Sequence, residues 1–499
     1  MFRRIENQYY LEEFNLPFEG KLRADNRWVK LAKMIPWDKI EARYANLFPS
    51  NRGQVAKPVR MALGALIIKE KCGFSDRETV EQITENPYLQ YFIGLKEYQD
   101  RPPFDPSLMV HFRKRFGAEA LQEINEEICR AAKETDKKND DDKKPKPPTG
   151  GNKAVAEESN NPDKASSFEV YPANKGKLIL DATCAPADIR YPTDLSLLNE
   201  AREKLDDMID IVHKKLGKPG KRPRTYRRVA RKHYLNIVRN KKPGKKALRK
   251  AIGKQLRYVR RNLGVIDRLL AIAGNEHGLS QKQQETLGTI RKVYQQQHHM
   301  YTRRTHKIND RIVSISQPHV RPIVRGKATA ETEFGAKIAI SIVDGYAHVE
   351  TLSWDAFNEG KTLIESVERY RQRYGFYPEA VQADKIYRNR ENLCYCEQHS
   401  IRLSGPRLGR PPADKSLQKE QRRLERQDAC ERNAIEGKFG EGKRRYGLAR
   451  IMARLKETAE SVICLQFLVM NLERRLRVIL FIFLRYLFGH KPAFLRPSL

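Results

Sequence analysis

Long apolar runs are scarce in this chain, and that scarcity sets its first limits. Nowhere in the 499 residues is there a stretch of the roughly 20 apolar residues that a membrane-spanning helix needs. The nearest run, residues 478–484, closes on Arg485 and reads as part of a buried C-terminal helix. The N-terminal segment lacks the apolar core of a secretory signal, so the reading is cytoplasmic and nucleoid-associated, with no membrane. Cysteine is sparse as well. Seven scattered cysteines do not make a disulfide framework and fit a reducing compartment. Cys394, Cys396 and His399 resemble part of a zinc site, but the fourth ligand that structural zinc requires is not evident.

Negative charge is the other shortage. Against 96 Lys and Arg stand 62 Asp and Glu, a net charge of +34, far more than solubility needs. A polyanionic partner follows, and nucleic acid is the natural one. The imbalance is concentrated: no Asp or Glu occurs between Asp210 and Asp267. This stretch carries Arg222, Arg224, Arg227, Arg228, Arg231, Lys232, Arg257, Arg260 and Arg261, with Tyr226, Tyr234 and Tyr258 between them. A solvated helix face normally mixes signs, so charge of one sign over this length is read as a grip on a phosphate backbone.

The chain divides by composition. Residues 1–132 read as an all-α domain. Apolar residues at helical spacing over 58–71 end at Gly73, and Ser75 with Glu78 has the form of a capping box opening the next helix. The pair is either a DNA-reading helix-turn-helix or an ordinary helix hairpin. Asp105-Pro106-Ser107 caps a further helix over 108–116 with Arg113, Lys114 and Arg115 on a basic face. Residues 133–175 are polar and Pro-rich and read as a disordered linker. From 176 to 499 the pattern is α/β: a strand over 177–183, a basic helical insertion over about 190–325, strands over 334–343 and 346–353 joined by the hairpin dipeptide Asp344-Gly345, a helix over 360–374, a strand over 379–384, and a short one over 400–404. Helices follow, the last spanning about 448–488. A mixed sheet flanked by helices satisfies this order.

Within it, Asp181 and Asp384 each end an apolar strand, where ligands of such sheets gather, and Glu436 lies on a later helix. Two carboxylates at roughly 4 Å repel by about 4 kcal/mol at an effective dielectric of about 20, so the pair calls for a cation. Magnesium prefers oxygen ligands and keeps waters. Two Asp and one Glu can hold one or two such ions and leave room for a scissile phosphate. Arg432 lies one turn before Glu436, and Lys443 lies seven residues after it; Gly437, Gly440 and Gly442 argue against an unbroken helix between them.

The strings Leu178-Ile179-Leu180-Asp181, Gln382-Ala383-Asp384-Lys385-Ile386-Tyr387, Arg432 to Glu436, and Lys443 together resemble the DDE transposases of bacterial insertion sequences. Phe104-Asp105-Pro106, Arg325-Gly326-Lys327 and Asn358-Glu359-Gly360 extend the resemblance. It implies a ribonuclease-H-like catalytic domain with Asp181, Asp384 and Glu436 as metal ligands for Mg2+ or Mn2+, as two ions. Arg432 and Lys443 then belong to the signature around the last acid, whose usual first Tyr is Ala429 here. The activity implied is metal-dependent cleavage and strand transfer on double-stranded DNA, at terminal inverted repeats and a target, by a homodimer. The alternatives are a transposase-derived nuclease or DNA-binding protein without strand transfer, or an RNA-binding protein. Three decoys sit nearby. Residues 437–444 approach a P-loop but end in Arg444 where magnesium chemistry wants Ser or Thr. Asp344 also ends a strand, but its following Gly marks a turn. His298 and His299 lie in a polar helix and read as solvent-facing.

Overall fold

The computed structural model of the protein describes residues 14–16, 20–48, 55–141, 173–217, 220–324, 332–406 and 414–488. The Pro-rich core of the expected linker, Arg325-Gly326-Lys327 and most of the loop after Gly405 lie outside them.

The N-terminal part is helical: α1 (Arg27–Met34), α2 (Trp37–Asn46), α3 (Val59–Cys72), α4 (Asp76–Glu85), α5 (Pro87–Phe92) and α6 (Leu108–Asp141). Gly73 stops α3 in the left-handed region at φ 72°, a conformation that costs glycine nothing. Ser75 then accepts the Glu78 N–H at 3.1 Å and starts α4. The expected basic face of α6 is partly spent. Arg113 is buried and clamps Asp76 of α4 through contacts of 2.6 and 2.8 Å. α6 bends at Gly117 (φ 60°) and stays helical to Asp141, past the composition boundary at 132, through the polar run Lys133 to Asp141 in which three Lys and one Glu favour a helix.

β1 (Lys177–Pro186) begins the sheet. The helices α7 (Asp194–Lys215), α8 (Arg227–Val238), α9 (Lys245–Ala273) and α10 (Gln281–Arg303) come before β2 (Arg321–Val324), β3 (Thr332–Val343) and β4 (Tyr346–Ser353). Asp344 and Gly345 take φ of 52° and 79°, the two left-handed residues of a tight hairpin turn. A 3-10 turn, Glu359–Thr362, leads into α11 (Leu363–Tyr374), then β5 (Ala380–Gln382), a 3-10 turn Lys385–Tyr387, α12 (Arg390–Gln398), β6 (Arg402–Leu403), α13 (Lys415–Arg445) and α14 (Lys456–Phe488).

The sheet is mixed and six-stranded. β3 pairs antiparallel with β1, β2 and β4, while β5 runs parallel to both β1 and β6. Leu178 and Leu180 pack with α11 residues Val367 and Tyr370 on one face. Ile338, Ile340 and Ala347 join a large core with α6 and α14. α7, α9 and α10 bury a separate core of their own, including Leu205, Ile209, Val259, Ile266 and Ile290. The sheet flanked by helices agrees with the sequence reading at the level of a mixed α/β protein.

The C-terminal helix differs from the sequence reading in its start and in its burial. α14 starts at Lys456 rather than near 448, because Gly447 turns left-handed at φ 75° and Ile451 pairs with Ala187 as an extended bridge. The buried part of α14 lies over residues 458–472. Residues 478–481, which begin the apolar run, are half-buried or exposed, with Leu480 exposed, so that part is not the buried segment its composition suggests.

Candidate functional site

β1 is ten residues long, and Asp181 sits inside it opposite Ile340 of β3, not at its end. What ends near Asp181 is the other edge. β5 pairs with β1 through Lys177↔Ala380, Leu178↔Val381 and Ile179↔Gln382. Two residues further along are Asp181, still in β1, and Asp384, which lies past the end of β5 because that strand stops at Gln382 and not at 384 as its apolar run suggests. Side chains alternate along a strand, so the register that pairs Ile179 with Gln382 brings the two aspartates to one face, where β5 leaves the sheet. Asp384 caps the following 3-10 turn by accepting the Lys385 N–H at 2.8 Å. Asp181 accepts the Ala182 N–H at 2.8 Å.

The electrostatics agree with that placement. Burial pushes the Asp181 carboxyl above its ordinary range, and the negative charges of Glu359 and Asp384 push the same way; the Ala182 N–H and the Arg432 guanidinium pull against them. Crowded carboxylates are stable as ions only with a counter-charge. Glu359 carries no strand-end signal in the sequence and lies in the 3-10 turn before α11.

α13 delivers Arg432 and Glu436. It packs on β1 and β5 and is fastened there by a polar clamp. The wholly buried Gln382 donates to Asp428 at 3.0 Å and to Glu431 at 2.5 Å. Arg402 of β6 donates to Asp428 at 2.9 Å, and Lys177 of β1 to Glu431 at 2.8 Å. One side chain from each of the three parallel strands therefore fixes the helix just before Arg432. Glu436, a turn later, is 58% exposed and 3.7 Å from the Arg432 guanidinium. α13 continues unbroken through Gly437, Gly440 and Gly442 to Arg445, so Lys443 follows Glu436 by about two turns on the same side. A Cβ on Gly442 would meet the Leu448 side chain at 3.1 Å and the Met470 sulfur at 3.3 Å; this glycine lets α13 lie close to α14. The same continuity removes the P-loop decoy, which lies within a helix.

Among the described residues, no group of three or more His, Cys, Asp or Glu side chains forms a ready metal cage. The two aspartates are brought together, and Glu436 stands off toward solvent. Cys394 is exposed, Cys396 is buried, and both are free thiols, while the His399 ring packs at a tilt against Tyr377 and Tyr395. Asp344 is the turn residue its Gly neighbour announced, and His298 and His299 are exposed.

The basic residues fall on and before α8 and along α9. Arg224, Arg228, Arg231, Lys232, Arg257, Arg260 and Arg261 are exposed, and Arg261 lies over the Tyr226 ring at 4.4 Å. Arg222 and Arg227 are committed instead to Asp210, at 2.6 and 2.8 Å. The single acid at the edge of the acid-free stretch neutralises the start of α8.

Two stretches of the chain match known families, and both families are of transposases. Residues 381–473 match the transposase DDE domain, and residues 16–115 match a transposase domain, DUF772. The chain therefore carries transposase-family domains in its N-terminal helices and in the part that holds Asp384, Arg432, Glu436 and Lys443; Asp181 and the basic helices lie outside both matches. It is also 35% identical over 107 residues to the uncharacterized protein ORF8 in the nfe locus of Rhizobium meliloti, covering 21% of this chain and 51% of that protein. The chain thus spans about half the length of that curated relative. No solved structure matches. No helix among the described residues is long and apolar enough to cross a membrane.

Proposed function

We propose that this protein is a DDE transposase with a ribonuclease-H-like catalytic domain, which binds the terminal inverted repeats of a mobile element, cuts the DNA there and joins the freed 3′ ends to a target. The observation that carries this reading is the β1–β5 register, which ends at Ile179 and Gln382, two residues before Asp181 and Asp384, in a chain with transposase-family segments on both sides of β1. Oxygen-only donors crowded enough to raise a carboxyl pKa fit Mg2+ or Mn2+. Asp181 and Asp384 would hold such ions, and Glu436 would complete the shell by rotating out of its loose pairing with Arg432. Divalent ions held there would supply activation of the attacking oxygen and charge stabilisation of the leaving one. Arg432 and Lys443 offer positive charge to the scissile phosphate, and the exposed Arg and Lys of α8 and α9 hold the duplex. Hydrolysis and joining are one displacement with two nucleophiles, water and a 3′ hydroxyl, so a single centre serves both. Two ends must meet, which calls for a homodimer in the active complex.

The test is Asp384→Ala with the element's own ends as substrate. Cleavage should fall by about 1,000-fold or more, since several kcal/mol of charge stabilisation is lost, and end binding should be unchanged. Retained cutting would remove Asp384 from the centre. Cleaved ends that are never joined, in the unmutated protein, would reassign it as a nuclease.

A further inference from the structure

A fourth carboxylate stands at this centre, placed there by contacts of its own. The 3-10 turn that begins at Glu359 is pressed against the turn that follows Asp384: a Cβ on Gly360 would come within 2.6 Å of the Ile386 carbonyl. Asn392, fully buried on α12, ties the two turns by donating to the Gly360 and Tyr387 carbonyls, each at 2.7 Å. From the sheet, Lys337 of β3 reaches Glu359 at 2.9 Å and donates to the Phe357 carbonyl at 2.7 Å. Lys337 faces Cys184 in the β1 register, so Glu359 is anchored from the same strand pair that carries Asp181.

A second observation points to a ligand. The Tyr387 hydroxyl is buried without a hydrogen bond of good geometry; burial first, then the charges of Glu359, Asp181 and Asp384 push its pKa up, and the neighbouring Thr362 hydroxyl pulls the other way. Thr362, beside it, directs its own hydroxyl to the Glu359 carbonyl at 2.8 Å. A buried phenol held by no more than a poorly aligned contact is costly. Within reach of the charges of Glu359, Asp181 and Asp384, it is suited to bond a water or an oxygen that arrives with a bound cation.

We propose that Glu359 is a further acidic ligand of the divalent-cation site, held ready by Lys337 and by the Gly360 contact, and that Tyr387 orients the oxygen shell of the bound ion. This rests on the reading of Asp181 and Asp384 as cation ligands. Glu359 differs from Glu436 in being fixed on the aspartates' side before any cation or DNA arrives. Its turn is fixed against the one after Asp384, whereas Glu436 has to swing in from the exposed side of α13.

Iron-directed backbone cutting of the full-length protein tests this without DNA. With Fe2+ and ascorbate, hydroxyl radicals formed at the site should cut the chain near residues 181, 359 and 384. Glu359→Gln should raise the Fe2+ concentration for half-maximal cutting by about tenfold or more, since one charged ligand is lost; Glu359→Asp should recover part of it, and Tyr387→Phe should give a smaller rise. Lys337→Met controls for the ion pair as a structural strut. If Glu359→Gln and Lys337→Met change thermal stability alike and neither shifts the Fe2+ dependence, Glu359 is a strut and the proposal fails. If Asp181→Asn also leaves cutting unchanged, the underlying reading of the aspartates fails with it.

Discussion

Glu431 is the residue on which the placement of the last acid turns, and its ionisation gives that role a measurable signature. Burial acts to raise its pKa, but hydrogen bonds from Lys177, Gln382 and Gln427 overcome this and hold the carboxyl down at about 2 against an ordinary 4.5. A depressed carboxyl stabilises the fold above its unfolded pKa, and that stabilisation is lost as pH falls from about 4.5 through about 2. Glu431→Gln should therefore cost about 1–2 kcal/mol at neutral pH, a figure reduced for a side chain that water still reaches. Its denaturation midpoint should converge on that of the unmutated protein as pH drops toward the lower value. A gap that stays constant across this window would mean that the clamp works through shape and not charge. At this scale the sequence was partly legible. Asp384 announced itself by ending an apolar run. Glu359 stood in the Asn358-Glu359-Gly360 string of the resemblance but without a role, because a short 3-10 turn has neither strand alternation nor a helical face, and only the fold brings that turn against the one after Asp384.

Among the elements, α8 and α9 supply the exposed cations, and their arrangement decides which substitutions are informative. Gln255 of α9 donates to the Ala230 carbonyl of α8 at 3.1 Å, and His233 meets the Tyr258 hydroxyl at 3.0 Å, so the two helices move as one unit. Replacing Arg228, Arg231, Arg257 and Arg260 together by Gln removes exposed charge and leaves this contact intact. Each lost phosphate contact should flatten the dependence of log affinity on log salt by about 0.9, so titrations at several salt concentrations should show a slope reduced by up to about 3 to 4. An unchanged slope would place the DNA elsewhere. Arg222 and Arg227 are poor choices for this test because Asp210 already holds them, a pairing invisible to a count of charges. Element boundaries follow the same logic of local against long-range causes. The Asp344-Gly345 hairpin was readable because its backbone demand is local. The unbroken run of α13 was not, since its glycines weaken a helix alone and are accepted where Gly442 lets α14 come close. The early end assigned to the first strand failed for a related reason: β3 pairs with β1 through Pro186, beyond the point where the apolar run gives out.

For the whole molecule, the composition break between the helical N-terminal part and the α/β part does not correspond to a break in the core. One hydrophobic cluster runs from Phe14, Trp28 and Leu66 through Ile124 and Ile128 of α6 to Ile338 and Ala347 of the sheet and Leu468 of α14. At its centre the buried Asn471 joins three elements: its side chain donates to Asn125 of α6 at 2.8 Å and to the Ala347 carbonyl of β4 at 2.7 Å, and accepts the Ala347 N–H at 2.9 Å. Asn471→Leu would leave a buried backbone donor and the Asn125 carbonyl unsatisfied, at about 1–3 kcal/mol for each, and should lower the thermal midpoint by several degrees. A shared core also predicts how the halves behave when the chain is cut. A protease site inserted within residues 142–172 should yield two fragments that stay together on gel filtration and melt in one transition, because neither can cover its share of apolar surface alone. Separation of the N-terminal fragment as a folded piece would show that α6 and α14 are docked domains. The basic helices should behave differently, since α7, α9 and α10 bury their own cluster. In the Asn471→Leu protein, hydrogen exchange should therefore accelerate in α3, α6 and β4 well before it does in α9.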